Sequence, residues 1–193
     1  MRLEDGKGKG TYAEVNEDGE LITFSIGIPE FSDHSQDYGT AYTIPTSIMA
    51  VTTTEGMMLY VQNTNDTKRF LLESMIVSCN GGNTNFNRTM IFRIYANPSV
   101  PSANTTAITP PNMNFTSSNK ATITAYQWNG TGTGMTVASN GTLMVSRYQA
   151  TGTSLVPWQG SLVIGANQSI GISLAGASET TNCLLTLVGS FQA

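Results

Sequence analysis

The stretch that decides the fold is the C-terminal run "GSLVIGANQSIGISLAGASETTNCLLTLVGSFQA", Gly160 to Ala193. It reads strand, tight turn, strand, loop, strand. "SLVIG" and "SIGISLA" are short, β-branched and apolar, and "GANQ" between them has the Gly and Asn that tight turns require. "CLLTLVGSF" then runs almost to the last residue. A terminal strand this apolar is expected to be central and buried on both faces, because at an exposed edge it would invite aggregation.

The same grammar extends backwards through the chain. "AYTI" closed by Pro45, "IMAVTTT", "MMLYVQN", "KRFLLESMIVSC", "RTMIFRIYA" closed by Asn97 and Pro98, "ATITAYQW" and "TLMVSRYQ" are runs of strand length. They are parted by "TTEG", "QNTNDT", "NGGNTN" and "NGTGTG", clusters that supply positive φ angles or Asx turns; "NGTGTGMT" reads as a hairpin loop. No window sustains the i, i+3, i+4, i+7 apolar spacing of a helix. Many short strands without intervening helices mean an all-β sandwich or barrel, and the double-sheet jelly roll is a closed solution of this size.

Two segments break the pattern. Residues 96–119, "ANPSVPSANTTAITPPNMNFTSSN", hold four of the seven prolines and read as a long connection between sheets. Residues 1–38 combine glycines, charges and Pro29, and only "LITFSIGI" (Leu21 to Ile28) is strand-like. The expected organisation is an extended N-terminal arm over 1–38 and a jelly-roll β-sandwich over 39–193.

Composition narrows the function. The 193 residues are 39% hydrophobic, enough for a real core, but only 11% charged against about a quarter in an ordinary soluble domain. After Arg93 the only charges are Lys120, Arg147 and Glu179. Surfaces buried between subunits are depleted of charge in this way, and so is a plain Thr/Asn-rich exterior. The net charge of -4 leaves no basic patch to neutralise phosphates, which argues against nucleic acid as a partner.

Cys79 and Cys183 form no CxxC pair or disulfide framework and are expected as buried free thiols. No apolar stretch approaches the 18 or so residues of a membrane span, and "MRLEDGKGKG" is not a signal peptide, so synthesis in a cytoplasm is expected. The seven N-x-S/T sequons, at Asn65, Asn87, Asn104, Asn114, Asn129, Asn140 and Asn167, then reflect composition rather than glycosylation.

A search for chemistry returns little. His34, the single histidine, stands beside Asp33 and Asp37 on one polar stretch, which suits hydrogen bonding better than metal ligation. No GxSxG, HExxH or GxxxxGK[ST] occurs, and "GKGKG" follows no strand and opens no helix. With one carboxylate beyond residue 93, a two-carboxylate hydrolase site has no partners there. No catalytic residue, metal site or cofactor is expected. Trp128 and Trp158, with Tyr126 and Tyr148, are candidate ligand-facing aromatics; the plainer alternative is that the tryptophans pack at strand ends.

The N-terminal layout carries a resemblance. The glycine-rich start, "AEVNEDGEL", "TFS", the piece with His34 and "GTAYTIPT" resemble structural proteins of tailed bacteriophages, in which an arm precedes a jelly-roll domain. "SLVIGANQSIGISLAG" is similar to the late hairpin of trimeric jelly rolls of the tumour-necrosis-factor-like type. The resemblance implies a virion protein: a capsid decoration, or cement, protein bound to the head surface as a homotrimer, with itself and the major capsid protein as partners. The gripping residues of the arm would be Arg2, Lys7, Lys9, Tyr12, Phe24, Phe31, His34 and Tyr38. The rival reading is a receptor- or glycan-binding module of a tail or fibre tip, using Trp128 and Trp158.

Overall fold

A computed structural model of the chain describes residues 2–4, 12–15, 21–22, 38–80, 89–150, 152–176 and 180–192. Among them there is no helix, and hence none long and apolar enough to cross a membrane. The chain divides into two compact units, Met1–Glu30 and Phe31–Ala193.

The first unit contains three short strands, β1 (Arg2–Glu4), β2 (Tyr12–Val15) and β3 (Leu21–Ile22), in an antiparallel sheet of order β1-β2-β3. Leu3 faces Ala13, and Val15 faces Leu21. The acid-rich "NEDGE", between β2 and β3 in the sequence, lies outside the described residues. The start of "LITFSIGI" pairs locally with β2; residues 23–28 lie outside the described set.

The second unit is two antiparallel sheets packed face to face. Its strands are β4 (Ala41–Pro45), β5 (Met49–Val51), β6 (Gly56–Asn63), β7 (Arg69–Asn80), β8 (Thr89–Ala96), β9 (Thr105–Ile108), β10 (Ile123–Trp128), β11 (Thr142–Ala150), β12 (Gly152–Ile164), β13 (Ser169–Gly176) and β14 (Thr181–Gln192). One sheet has the order β11-β8-β13-β6-β10-β9, the other β12-β7-β14-β4 with β5 also on β14. The expected all-β sandwich is the fold observed.

The core lies between the sheets. From one side come Phe70, Leu72, Met75, Val77, Leu185 and Leu187; from the other come Leu59, Phe92, Ile94, Ile172 and Leu174. Phe191 closes one end, with its ring 5.0 Å from Phe70 and edge-on to Tyr42 at 6.0 Å. On β7 the buried positions run 70, 72 and then 75, 77, 79. The pairing skips Glu73 on both sides, and this bulge shifts the alternation by one.

β14 is central, between β7 and β4/β5, but buried chiefly on one face, since its alternate residues are half-exposed. The strand buried on both faces is β13. Ile170, Ile172 and Leu174 enter the core, while small Gly171, Ser173 and Ala175 occupy the outer face. Gly171 sits between its register partners Tyr60 and Tyr95, and a Cβ there would collide with Met57 Sδ. Small residues let the neighbouring side chains close over the strand.

Three sequence expectations are corrected. "GANQ" is no hairpin turn: β12 pairs with β7 and β13 with β6 and β8, so the turn carries the chain from one sheet to the other. Nor is "NGTGTGMT" a hairpin loop, because β10 and β11 stand apart in their sheet. The strand holding "SLVIG" begins well before that run, at Gly152. Proline is tolerated because β12 is an edge strand, and pairing lapses between Pro157 and Leu162.

The long segment 96–119 is ordered. It contributes β9 to the edge of the six-stranded sheet, then crosses to the other sheet, where Thr43 donates to the Pro111 carbonyl (3.1 Å) and Met113 to that of Ala41 (2.9 Å). The outer edge of β4 is thereby covered.

Candidate functional site

Strand chemistry makes two of the sandwich's edges unlike the others. The order of the sheets leaves β11 and β12, consecutive in sequence, each at the end of its sheet. β4, at the opposite end of the five-stranded sheet, is paired by the Pro111–Met113 segment. β11 and β12 have no further strand beyond them among the described residues.

These two strands are also where apolar surface collects. Leu143, Met144, Val145 and Tyr148 are exposed on β11, and Leu155 and Val163 on β12; Tyr148 is 73% exposed and Leu155 61%. Arg147 is the single charged residue of both strands. Its length and apolar content would make such an edge an aggregation site if left bare. The signal was present in "LMV": three consecutive apolar residues in a strand cannot all face one core. A register shift between Leu143 and Val145 leaves Met144 out of the pairing with β8 at this end of β11.

The aromatics chosen from the sequence have other places. Trp128 takes the plainer of its two readings, packing into the core at the end of β10: it is 4% exposed, and its indole N–H donates to the Thr131 carbonyl at 2.6 Å. Trp158 is half-buried against the core, and Tyr126 lies beside Tyr60 with ring centres 6.2 Å apart. Of the four, Tyr148 alone is strongly exposed, on the open edge. Phe115, at the tip of the 112–119 loop, is exposed as well, a position the sequence reading passed over.

Of the proposed arm residues, Tyr38 is exposed, and its carbonyl accepts a hydrogen bond from Asn119 Nδ2 at 3.0 Å. Arg2 and Tyr12 belong to β1 and β2, with side chains outside the described set. Lys7, Lys9, Phe24, Phe31 and His34 lie outside the described residues altogether.

Elsewhere, polar chemistry serves the fold. Glu55, between β5 and β6, pairs with Arg93 and accepts hydrogen bonds from Tyr95 Oη (2.8 Å) and Ser173 Oγ (2.5 Å). Burial pushes its carboxyl up, but the Ser173 and Tyr95 hydrogen bonds and the Arg93 charge together hold it below its ordinary value. The Tyr95 phenol is raised by burial and by that carboxylate. The cluster fastens the β5–β6 link to β8 and β13.

Three sequons have a local structural use. Asn65, Asn114 and Asn129 accept through Oδ1 from the backbone N–H of Thr67, Thr116 and Thr131, each two residues on, and the first two also take the threonine hydroxyl. N-x-T here spells an Asx turn. No group of three or more His, Cys, Asp or Glu that could hold a metal occurs among the described residues.

Comparison with known proteins adds no assignment: no family model matches the chain, and no curated protein or solved structure matches it.

Proposed function

We propose that this chain is a virion structural protein, a capsid decoration protein whose β-body self-associates as a homotrimer while the segment 1–38 grips the capsid. The observation that carries the reading is the open β11/β12 edge, apolar and bearing one charge, in a body whose β4 edge is covered by its own chain. A second copy seated on that edge would remove the apolar side chains from water with only one charged side chain, Arg147, to accommodate. A cyclic trimer repeats one heterologous contact around a three-fold axis, consistent with an interface that joins one edge to a different surface of the next copy.

The body is read as a jelly roll. Supporting this, the chain changes sheet at β5–β6, β6–β7, β7–β8, β11–β12, β12–β13 and β13–β14. The resulting orders, β12-β7-β14-β4 and β11-β8-β13-β6, are those of a ribbon folded over itself, with β9 and β10 as an addition beyond β6.

In this reading the arm supplies attachment. Three arms on one trimer bind multivalently, so modest single contacts hold firmly, and binding only the assembled lattice stabilises it. The glycan-binding alternative is weakened by Trp128, whose face is spent in the core.

The test is re-addition to particles stripped of this protein. The full chain should bind at hundreds of copies per head, and a 39–193 truncation should remain a trimer yet fail to bind. Attachment of the truncation at full strength, or about a dozen copies at a tail, overturns the reading.

A further inference from the structure

Cys79 on β7 and Cys183 on β14 are direct register partners in the five-stranded sheet, and their sulfurs lie 3.4 Å apart. Both point into the core, 3% and 1% exposed. From the facing sheet Met90 places its sulfur 3.2 Å from Cys183 Sγ and 4.0 Å from Cys79 Sγ. On the β12 side, the residue opposite Cys79 is Gly152, which contributes no side chain. Directly opposed residues of antiparallel strands have the Cα separation that a disulfide spans, and only the sulfurs need to approach, from 3.4 Å to about 2.05 Å.

We infer that Cys79 and Cys183 are a disulfide-forming pair: they remain thiols in a reducing compartment and close into a β7–β14 cross-link when a low-molecular-weight disulfide becomes available as oxidant. This stands on the geometry of the pair and is independent of the capsid reading.

The chemistry balances as two exchanges. The Cys183 thiol donates to Cys79, which lowers the Cys79 thiol and raises that of Cys183, so Cys79 ionises first. The Cys79 thiolate attacks one sulfur of the oxidant, forming a mixed disulfide and expelling one small thiolate. Cys183 then loses its proton and attacks Cys79 Sγ, forming the cross-link and expelling the second. Two protein thiols are oxidised, and one small disulfide is reduced to two thiols. Because both sulfurs are buried, attack requires transient opening, which makes formation and later reduction slow.

The cross-link joins positions 104 residues apart, a loop whose closure raises the folding equilibrium constant by about three thousandfold in the chain-entropy model. The cysteines stand near one end of the β7–β14 ladder, one pair in from Asn80 and Asn182, so the bond would fasten these two inner strands at that end.

The test uses the full chain equilibrated with an excess of oxidised glutathione, then denatured and alkylated with iodoacetamide. The expected product is lighter by two hydrogens, takes no alkyl group, and yields a peptide joining Cys79 to Cys183. Its unfolding midpoint in guanidinium rises and returns on reduction. The Cys79→Ala/Cys183→Ala variant should show no oxidant-dependent shift. Two alkylated cysteines, a single glutathione adduct, or a disulfide between chains overturns the inference.

Discussion

The Thr46 hydroxyl acts as a strand partner for Leu185. Its Oγ1 accepts from the Leu185 amide at 2.9 Å and donates to the Leu185 carbonyl at 3.2 Å, to which the Thr46 amide also donates at 2.8 Å. Leu185 stands where β14 passes from pairing with β4 to pairing with β5, and the chain between those strands leaves the ladder. The side chain fills the gap. Thr46→Val should therefore destabilise the body by about 1–3 kcal/mol, because it keeps the volume and leaves a buried amide without an acceptor. Thr46→Ser should lose much less. Urea midpoints of the three proteins check the order.

Asn63 works similarly at the opposite turn. Fully buried, it donates through Nδ2 to the carbonyls of Lys68 (2.8 Å), Ile164 (3.1 Å) and Gly165 (3.2 Å), and its Oδ1 accepts from Asn65. It thus ties β6 to the turn that carries β12 into β13. Asn63→Leu should cost about 1–3 kcal/mol, with faster amide exchange at Gln168, which donates across the Gly165–Gln168 turn. Exchange unchanged from the parent would show that the turn holds itself.

Glu55 gives a pH dependence with a definite sign. Its folded pKa is below the ordinary 4.5, so its contribution is complete above the unfolded value and is lost as pH falls through the folded one. The stability gap between the parent and Glu55→Gln should be constant near neutrality and shrink as the pH drops from about 5 towards about 3. Thermal midpoints measured across that range check it; a gap that grows on acidification contradicts the assigned network.

The open edge predicts a separation of folding from assembly. Tyr148→Asp and Leu155→Lys place charge on side chains already exposed in the isolated body, so its melting temperature should change little, with surface substitutions typically within about 0.5 kcal/mol. The same changes bury an unpaired charge in any contact made there, and the proposed trimer should be lost. Light scattering coupled to gel filtration reads the mass of each variant.

The sequence by itself determined the all-β class and the position of almost every strand in the body. Those follow from local chemistry: β-branched and aromatic runs, prolines that stop them, and Asn, Gly and Thr clusters that turn the chain. Only the tertiary structure decided which strands pair. "GANQ" looks like a hairpin turn because a tight turn needs the same residues whether the next strand lies beside the last or in the facing sheet. Trp128 went to the core for a like reason, since an aromatic at a strand end is equally at home facing in or out until its neighbours are known. Cys79 and Cys183 met because β7 and β14, about a hundred residues apart, are adjacent in one sheet. The edge formed by β11 and β12 is likewise a property of strand order, set by long-range packing rather than by any local run of residues.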